Sequence, residues 1–337
     1  RLNQDGSIDN TFNIGTGFNN FVRIIIEDSN GKYLIGGNFK TYNGTSFNGL
    51  IRLNQDGSID NTFNIGTGFI GAGVDNTLYS IIEDSNSKYL IGGDLIIYNG
   101  TSFNGLIRLN QDGSIDNTFN FSGGSIRSII QDSSGKYVIG GNFTTYNGIA
   151  SNRIIRLNQN GSIDNTFNID VVFDTVIFTI IQDGSGKYVI GGQFGTPSNG
   201  LVRLNQNGSV DNSFNIGVGF NNFALVYAII QDGSGKYVIG GQFKSYNNEG
   251  VSRNIIRLNN ESSIGGGINI DGDYYIDENN SKLIHLNTNI NSNDVIVVSY
   301  LFRENSNDEN SQLLSQTIKY VLTQAFPNHD GSILTLP

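Results

Sequence analysis

Residues Ile25 to Phe39 read IIEDSNGKYLIGGNF, and residues Arg52 to Asn64 read RLNQDGSIDNTFN. Each stretch is a pair of short runs with strand chemistry, hinged on a tight turn. The hinges, D-S-N-G-K and Q-D-G-S, carry Asn-Gly and Asp-Gly, the strongest short-range hairpin signal because the favoured turns need positive φ. Both stretches recur. K-Y-[LV]-I-G-G begins at Lys32, Lys88, Lys136, Lys187 and Lys236, and RLN begins at Arg1, Arg52, Arg108, Arg156, Arg203 and, degenerately, Arg257. Self-similarity at a period of about 50 residues indicates stacked supersecondary units, so the choice is between a solenoid and a propeller.

Four runs fill each repeat. The first is apolar and β-branched: 22–27, 78–83, 126–131, 177–182 and 226–231. KYLIGG or KYVIGG is the second, LIRLN or IIRLN the third, and SIDNTFN the fourth. No helical periodicity appears before residue 310. Four antiparallel strands per unit, with a double glycine closing the second, describe a propeller blade. The fold class is therefore all-β, a β-propeller of four-stranded antiparallel blades with five visible repeats and five to seven blades in all. The segment 1–13 supplies only third and fourth runs, so it either completes the fifth blade in a ring of five or belongs to a further blade upstream. The chain opens at Arg1 inside a motif and contains no Met, which reads as a processed or truncated piece.

Loop lengths assign the faces. The first-to-second and third-to-fourth turns share one end of a meander, and in every copy they keep their length. The other two connections vary, from NFSGGS at 120–125 to NIGTGFIGAGVDNT at 64–77, and from FKTYNGTSFNG at 39–49 to FGTPSNG at 194–200. All variation thus falls on one face, the expected binding face. Ile24, Ser80, Ser128, Thr179 and Ala228 are mostly small, which places the first strand innermost, where blades converge.

The ordered combination RLNQDGSIDNTFN, IIEDSNGKYLIGGNF and YNG resembles the delta-60 repeat, a propeller repeat of large secreted or surface bacterial proteins and some phage proteins. The double glycine also resembles the end of the second strand of a kelch blade. The resemblance covers about residues 1–260 and implies a propeller but no particular biochemical role.

The repeat stops near residue 264, dividing the chain into a propeller (1–264) and a C-terminal α+β module (265–337). Runs at 269–276, 282–286 and 294–302 read as strands, and DYYIDENNSKLIHLNTNINSNDVIVVSYL resembles small β modules of phage tail, fibre and neck proteins. A helix is expected over 311–326, with Leu314, Ile318, Val321, Leu322 and Ala325 on one face and Pro327 ending it. It would pack on its own module, or serve oligomerisation or docking to another chain.

Composition narrows function. With 20 Lys plus Arg against 30 Asp plus Glu, the net charge is −10, which argues against nucleic acid and anionic membranes as partners. Charged residues make up 15% against a usual ~25%, leaving a neutral amide and hydroxyl surface that suits work outside cells. The chain has no Cys, hence no disulfide, thiol nucleophile or thiolate metal site. No run of 18 apolar residues exists to span a bilayer.

Candidate chemistry is sparse. NQDGSID fits part of a calcium loop, but Arg1 and Phe12 stand where both essential carboxylates belong, as do Arg52 with Phe63 and Arg108 with Phe119. Asp28, Asp84, Asp132, Asp183 and Asp232, with Lys32, Lys88, Lys136, Lys187 and Lys236, occur in every unit and so serve the blade, whereas catalysis needs a unique site. Phe12, Phe63, Phe119, Phe167 and Phe214 read as inter-blade core. Asn38, Asp94, Asn142, Gln193 and Gln242 follow the double glycine and form a polar ring at the variable end. Tyr42, Tyr98, Tyr146 and Tyr246 lie near them, with Pro197 in the fourth copy. Amides with tyrosine suit a glycan, though the same residues could satisfy loop backbone and pack loop bases. His285 and His329 lie outside the repeats, removing Ser-His-Asp chemistry from the propeller. Asp75, Asp94, Asp170, Asp174 and Glu249 are the non-repeated acids that a carboxylate-only glycosidase would use.

Residues 1–18 are identical to 52–69, and 42–64 to 98–120. Such copying suits surface recognition or a spacer better than a catalytic centre. The sequence therefore points to a non-catalytic structural or binding propeller of a phage virion (fibre, neck or tail appendage), without cofactor or metal. Residues 265–337 would attach it to other virion or surface proteins or form a homo-oligomer. The alternative is a secreted or surface bacterial adhesin or lectin-like module that takes a cell-surface glycan or receptor.

Overall fold

The structure is a computed structural model that describes residues 1–69, 77–119, 121, 123–195, 199–214, 216–217, 219–221, 224–247, 249–250, 254–259 and, beyond Gly265, six strands. The chain forms two compact units, Arg1–Ile264 and Gly265–Pro337. No helix occurs among the described residues.

The first unit contains five three-stranded antiparallel sheets, each ordered first-second-third. Blade one comprises Val22–Glu27, Tyr33–Gly37 and Leu50–Leu53. Blade two comprises Leu78–Glu83, Tyr89–Tyr98 and Thr101–Leu109. Blade three comprises Ser125–Gln131, Tyr137–Asn142 and Ile154–Leu157. Blade four comprises Ile177–Gln182, Tyr188–Gly192 and Leu201–Leu204. Blade five comprises Leu225–Gln231, Tyr237–Gln242 and Ile255–Leu258. The fourth run touches the third through one bridge, Leu53 to Ile59 in blade one and Leu204 to Val210 in blade four. It then crosses to the next blade. There Phe63 sets its edge on Tyr89 at 5.8 Å, and the Asn64 amide donates to the Asp112 carbonyl at 2.8 Å. The recurrent phenylalanines are inter-blade core because their chain leaves the sheet to reach the neighbour.

Turn chemistry follows the sequence. In blade one Asp28 Oδ1 accepts from the Asn30 and Lys32 amides, both at 2.9 Å, while Gly31 takes φ +72°. Y-N-G builds a further small hairpin, Thr41–Tyr42 with Thr45–Ser46, in which Asn43 and Gly44 both have positive φ (48° and 77°). That is the two-residue turn whose twist matches antiparallel strands. The two variable connections of one blade pair with each other, Phe18 with Tyr42, Phe69 with Tyr98 and Phe220 with Tyr246. The constant turns meet across blades, where Asn30 Nδ2 donates to Gln111 Oε1 at 3.0 Å.

First strands of successive blades lie side by side. The Ile129 amide donates to Ser80 Oγ at 3.1 Å and the Ile180 amide to Ser128 Oγ at 3.0 Å. The small inner position is thus a hydrogen-bonding spacer between neighbours. The double glycine has two separate causes. A Cβ on Gly140 would stand 2.7 Å from Ile180 and 2.8 Å from Ile177 of the next blade, while one on Gly141 would stand 2.2 Å from the Ser125 carbonyl of its own first strand. The core accordingly lies between blades: Leu34 and Leu50 of the first pack with Leu78, Ile81, Tyr89 and Ile91 of the second.

Segment 1–13 packs on blade one, where Arg1 Nη1 donates to Tyr33 Oη and the Gln55 carbonyl, both at 3.3 Å. The second strand of the fifth blade pairs with a third strand of its own, Tyr237 opposite Leu258. The degraded fourth run at 260–267 lies outside the described residues.

In the second unit Asn269–Ile270, Tyr274–Asp277, Lys282–His285 and Leu334–Thr335 form one antiparallel sheet in that order. The expected helix is absent: Leu314–Val321 is a strand, paired antiparallel with Val295–Phe302 from Phe302↔Leu314 to Val295↔Val321. The module is therefore β rather than α+β where described. LSQTIKYV has apolar residues at both helical and alternate spacing, and a short run of this kind is decided by its partner. Thr, Ile, Tyr and Val favour the pleated surface once an eight-residue partner strand is available.

Candidate functional site

The recurrent charged residues are consumed in the joints between blades. At the joint of blades three and four, Tyr188 donates its hydroxyl to Asp132 Oδ2 at 2.7 Å and accepts from Arg156 Nη1 at 3.0 Å. Arg156 also donates Nε to Asp164 at 2.6 Å and Nη1 to the Gln206 carbonyl of blade four at 2.6 Å, and it lies 4.7 Å over the Phe167 ring. Lys136 completes the group by donating to Asp164 Oδ2 at 2.8 Å. The same arrangement recurs with Arg52, Tyr89 and Asp28 and with Arg203, Tyr237 and Asp183. Burial acts to raise the Asp164 pKa, but Lys136, Thr166 and Arg156 outweigh it and hold the carboxyl far below its usual range. Burial, helped by Asp132, pushes the Tyr188 phenol up to about 12. Asp132 and Asp164 are thus each held by several donors within the joint. In the calcium-like loop Asp56 Oδ1 serves the turn, accepting from the Ser58 amide at 2.9 Å and from its hydroxyl at 2.6 Å.

At the variable end the structure divides the sequence-predicted ring. Tyr42, Tyr98 and Tyr146 are buried and Tyr246 is half-buried. The Tyr42 hydroxyl donates to the Gly57 carbonyl and that of Tyr98 to Gly113, both at 2.6 Å, and Tyr146 donates to Gly161. Tyr42, Tyr98 and Tyr146 therefore present no surface to a ligand. Each is fixed beneath its Asn-Gly turn because a large aromatic ahead of that turn covers the hairpin base. The polar positions do remain accessible: Asn38 and Asp94 are half-buried, and Asn142, Gln193 and Gln242 are exposed. Arg23 Nε donates to Asn38 at 2.6 Å, and Arg153 donates to Asn142. Asp94 accepts from Tyr79 Oη at 2.8 Å and Ser125 Oγ at 2.6 Å, with Arg127 Nη2 at 3.6 Å.

These contacts reveal positions that the sequence reading missed. Every first strand carries a bulge one residue before the small inner position, where the register shifts. The bulged residues are Arg23, Tyr79, Arg127, Phe178 and Tyr227. The Arg127 guanidinium sits 3.7 Å over the Tyr79 ring, and the Phe178 and Tyr227 rings are 5.0 Å apart. Burial first, and Asp94 second, raise the Tyr79 pKa. Arg127 Nε is a buried donor without a partner. The signal lay in the sequence as one large, changing side chain inside an otherwise constant strand, and a bulge is a usual device for re-aiming such a residue.

Of the non-repeated acids, Asp94 is held as above, Asp170 accepts from the Val210 amide at 3.0 Å, and Asp174 accepts from the Gly195 amide at 3.1 Å. Asp75, the Glu249 and His285 side chains, His329 and Pro197 lie outside the described residues. Among the described residues no three His or acidic side chains gather into a metal-sized group.

A family model described as a domain of unknown function (DUF5122) beta-propeller matches residues 29–63, 85–119, 133–167, 184–214 and 233–264. No curated protein matches the chain. Among solved structures it is similar to virginiamycin B lyase from Staphylococcus aureus, at 15% identity over 80% of this chain and 81% of that one, TM-score 0.42. It is also similar to the extracellular domain of BT4673 from B. thetaiotaomicron, at 20% identity over 78% of this chain, TM-score 0.36, and it spans 40% of that chain's length. A third is PorZ, a surface component of the type-IX secretion system of Porphyromonas gingivalis, at 11% identity over 92% of this chain and 48% of that one, TM-score 0.41. The five matched segments each fall on one blade, running from its first turn into its fourth run, and the chain is accordingly a β-propeller repeat protein.

Proposed function

We propose that this propeller is a non-catalytic recognition module whose ligand meets the bulged residues of the inner strands. One observation carries the reading. On a scaffold whose recurrent polar groups are tied up in joints, the five bulges carry large side chains of three kinds, varying from blade to blade: Arg23, Tyr79, Arg127, Phe178 and Tyr227. Tyr79 beside Asp94, the paired Phe178 and Tyr227 rings, and the amides of Asn38 and Asn142 supply stacking and hydrogen bonding, the mixture that holds a sugar ring or an extended polar chain. The test is a glycan array probed with the wild type and with Tyr79→Ala, Phe178→Ala and Tyr227→Ala combined. Binding lost in the variant supports the reading. Equal binding by both overturns the assigned surface, and hydrolysis of a polysaccharide overturns the non-catalytic role.

The setting of this module is a phage virion in the first reading, supported by the resemblance of the segment around residues 273–302 to tail and neck modules. Detection of the chain in purified particles tests it. A bacterial surface adhesin is the second reading, supported by the weakly charged, amide-rich composition.

A further inference from the structure

The propeller holds arginines of two kinds. At the joints Arg52, Arg108, Arg156 and Arg203 each place Nε 2.6 to 2.8 Å from an aspartate, which neutralises them. Arg23, Arg127 and Arg153 stand instead at positions that vary between blades, at the variable end. Arg23 is exposed and gives its Nε to a neutral amide, that of Asn38. Arg153 likewise donates to neutral oxygens, from Nε to the Phe173 carbonyl and from Nη2 to the Asp174 carbonyl, both at 3.1 Å, and from Nη1 to Asn142. The Asp174 carboxylate is turned to the Gly195 amide. Arg127 Nε has no acceptor among the described residues. Its nearest carboxylate, Asp94 at 3.6 Å, already gives one oxygen to Tyr79 and the other to Ser125.

Arg127 and Arg153 belong to one cluster. Asn142, which Arg153 holds, stands opposite Ser125 in the blade-three sheet, and Ser125 is bonded to the same Asp94 that Arg127 faces from above the Tyr79 ring. The backbone marks this place as well. Arg153 precedes the third strand where the other blades have Gly49, Gly105 and Gly200 at φ +87°, +97° and +79°, and Asn254; Arg153 itself takes φ +63°. That region disfavours an L side chain, and strain of this sort gathers at functional sites.

We infer that the ligand of the bulged ring is an acidic glycan, whose sugar lies against the bulged aromatics while its carboxylate or sulfate is taken by Arg127 and Arg153. This deepens the proposed recognition role and rests on it. A guanidinium offers five N–H donors in a planar fork that matches such oxygens, and Arg153 spends only three of its own on the protein. The net charge of −10 does not oppose this. Acids such as Glu27, Asp56, Glu83 and Asp112 sit at the constant-turn end, and salt screens exposed charges beyond about 8 Å at physiological ionic strength.

Calorimetric titration of the full chain with polygalacturonate, dextran sulfate and neutral dextran tests this. The wild type is expected to bind an acidic polymer and not dextran, and the acidic polymer preferred identifies the group as carboxylate or sulfate. Arg127→Gln and Arg153→Gly should each weaken that binding at least about tenfold, while Lys40→Gln, an exposed lysine of the same end, should leave it unchanged. Arg153→Gly should keep or raise the urea midpoint, because glycine suits the φ it inherits. A midpoint that falls together with binding makes Arg153 a brace for residues 173–174 and overturns its role. Dextran bound as tightly as the acidic polymers, no binding of either acidic polymer, full binding by both arginine variants, or an equal loss in Lys40→Gln each overturns the inference. Dextran binding that the combined Tyr79, Phe178 and Tyr227 variant loses overturns the acidic class alone and leaves the recognition surface standing. Acidic binding that this combined variant retains overturns both.

Discussion

Tyr188→Phe removes one oxygen from the centre of a joint and leaves the ring, with its edge contact to Phe167 at 5.7 Å, in place. Two hydrogen bonds go with it, to Asp132 at 2.7 Å and from Arg156 at 3.0 Å. Asp132 Oδ1 stays bound to the turn through Ser134 and Lys136, but Oδ2 is left facing Arg156 at 3.8 Å in a buried site. Hydrogen bonds to charged groups contribute about 1.5–3 kcal/mol each, and partial relaxation of Arg156 recovers some of the loss, so a cost of about 2–4 kcal/mol is expected. With an m-value near 3 kcal/mol/M, the urea midpoint should fall by about 1 M at unchanged slope. Tyr33→Phe is the internal control. Its hydroxyl has only Arg1 at 3.3 Å and no preceding aspartate among the described residues, so its midpoint should stay within error of the wild type. A Tyr188→Phe loss under about 0.5 kcal/mol, the scale of an ordinary surface change, or an equal loss in both variants, would refute the view that the joints hold the blades together.

Ser87 occupies the turn position that is Gly31, Gly135, Gly186 and Gly235 in the other copies and takes φ +57° there; Ser87→Gly should therefore stabilise by about 0.5–1 kcal/mol in the same urea titration. Gly140→Ala drives a methyl into Ile180 and Ile177 and should cost about 1–3 kcal/mol, whereas Gly240→Ala meets, among the described residues, only the Asn254 carbonyl at 4.0 Å and should leave the midpoint nearly unchanged. On acidification, Asp60, Asp116, Asp164 and Asp211 act together: their folded pKa values are depressed, because cations and hydroxyl donors outweigh burial. Their stabilisation is present above the unfolded value of about 4 and is lost as pH falls through it towards the folded values. Thermal melts should thus be flat from pH 7 to 5 and drop below 4, and a melt that is flat to pH 2 contradicts the assignment. At the alkaline end Tyr188 and Tyr237 are raised to about 12, mainly by burial, so their stabilisation is present below about 10 and lost as pH rises through 12.

The hairpins, their order and the placing of the first strand innermost were legible because turn chemistry and the period of two are local properties, repeated five times. The recurrence of Asp28 and Lys32 was equally informative: a residue present in every blade serves the blade, and Asp28 indeed caps its own turn. What recurrence could not reveal is that Asp28 also receives Tyr89 from the next blade, a contact between residues far apart in the chain. Tyr42 and Tyr98 were misread for a related reason, since a tyrosine beside an exposed loop looks available until its hydroxyl is seen on a buried carbonyl. Leu314–Val321 was misread as helix because its spacing fits both periods and the deciding strand lies elsewhere in sequence. The bulged ring was visible as variation at one position, yet only the register shift tells that variation there faces outward rather than into the core.

Because every joint draws its tyrosine, arginine and aspartate from two adjacent blades alone, no seam depends on how many others exist. A duplicated or deleted fifty-residue segment would bring the same residues to the same junction, so gene-level gain or loss of a whole unit leaves the chemistry at each boundary intact. The verbatim identity of residues 42–64 with 98–120 is what such a history leaves behind. Lineages carrying this chain are free to alter their reach by recombination, while the side chain carried at each bulge diverges independently.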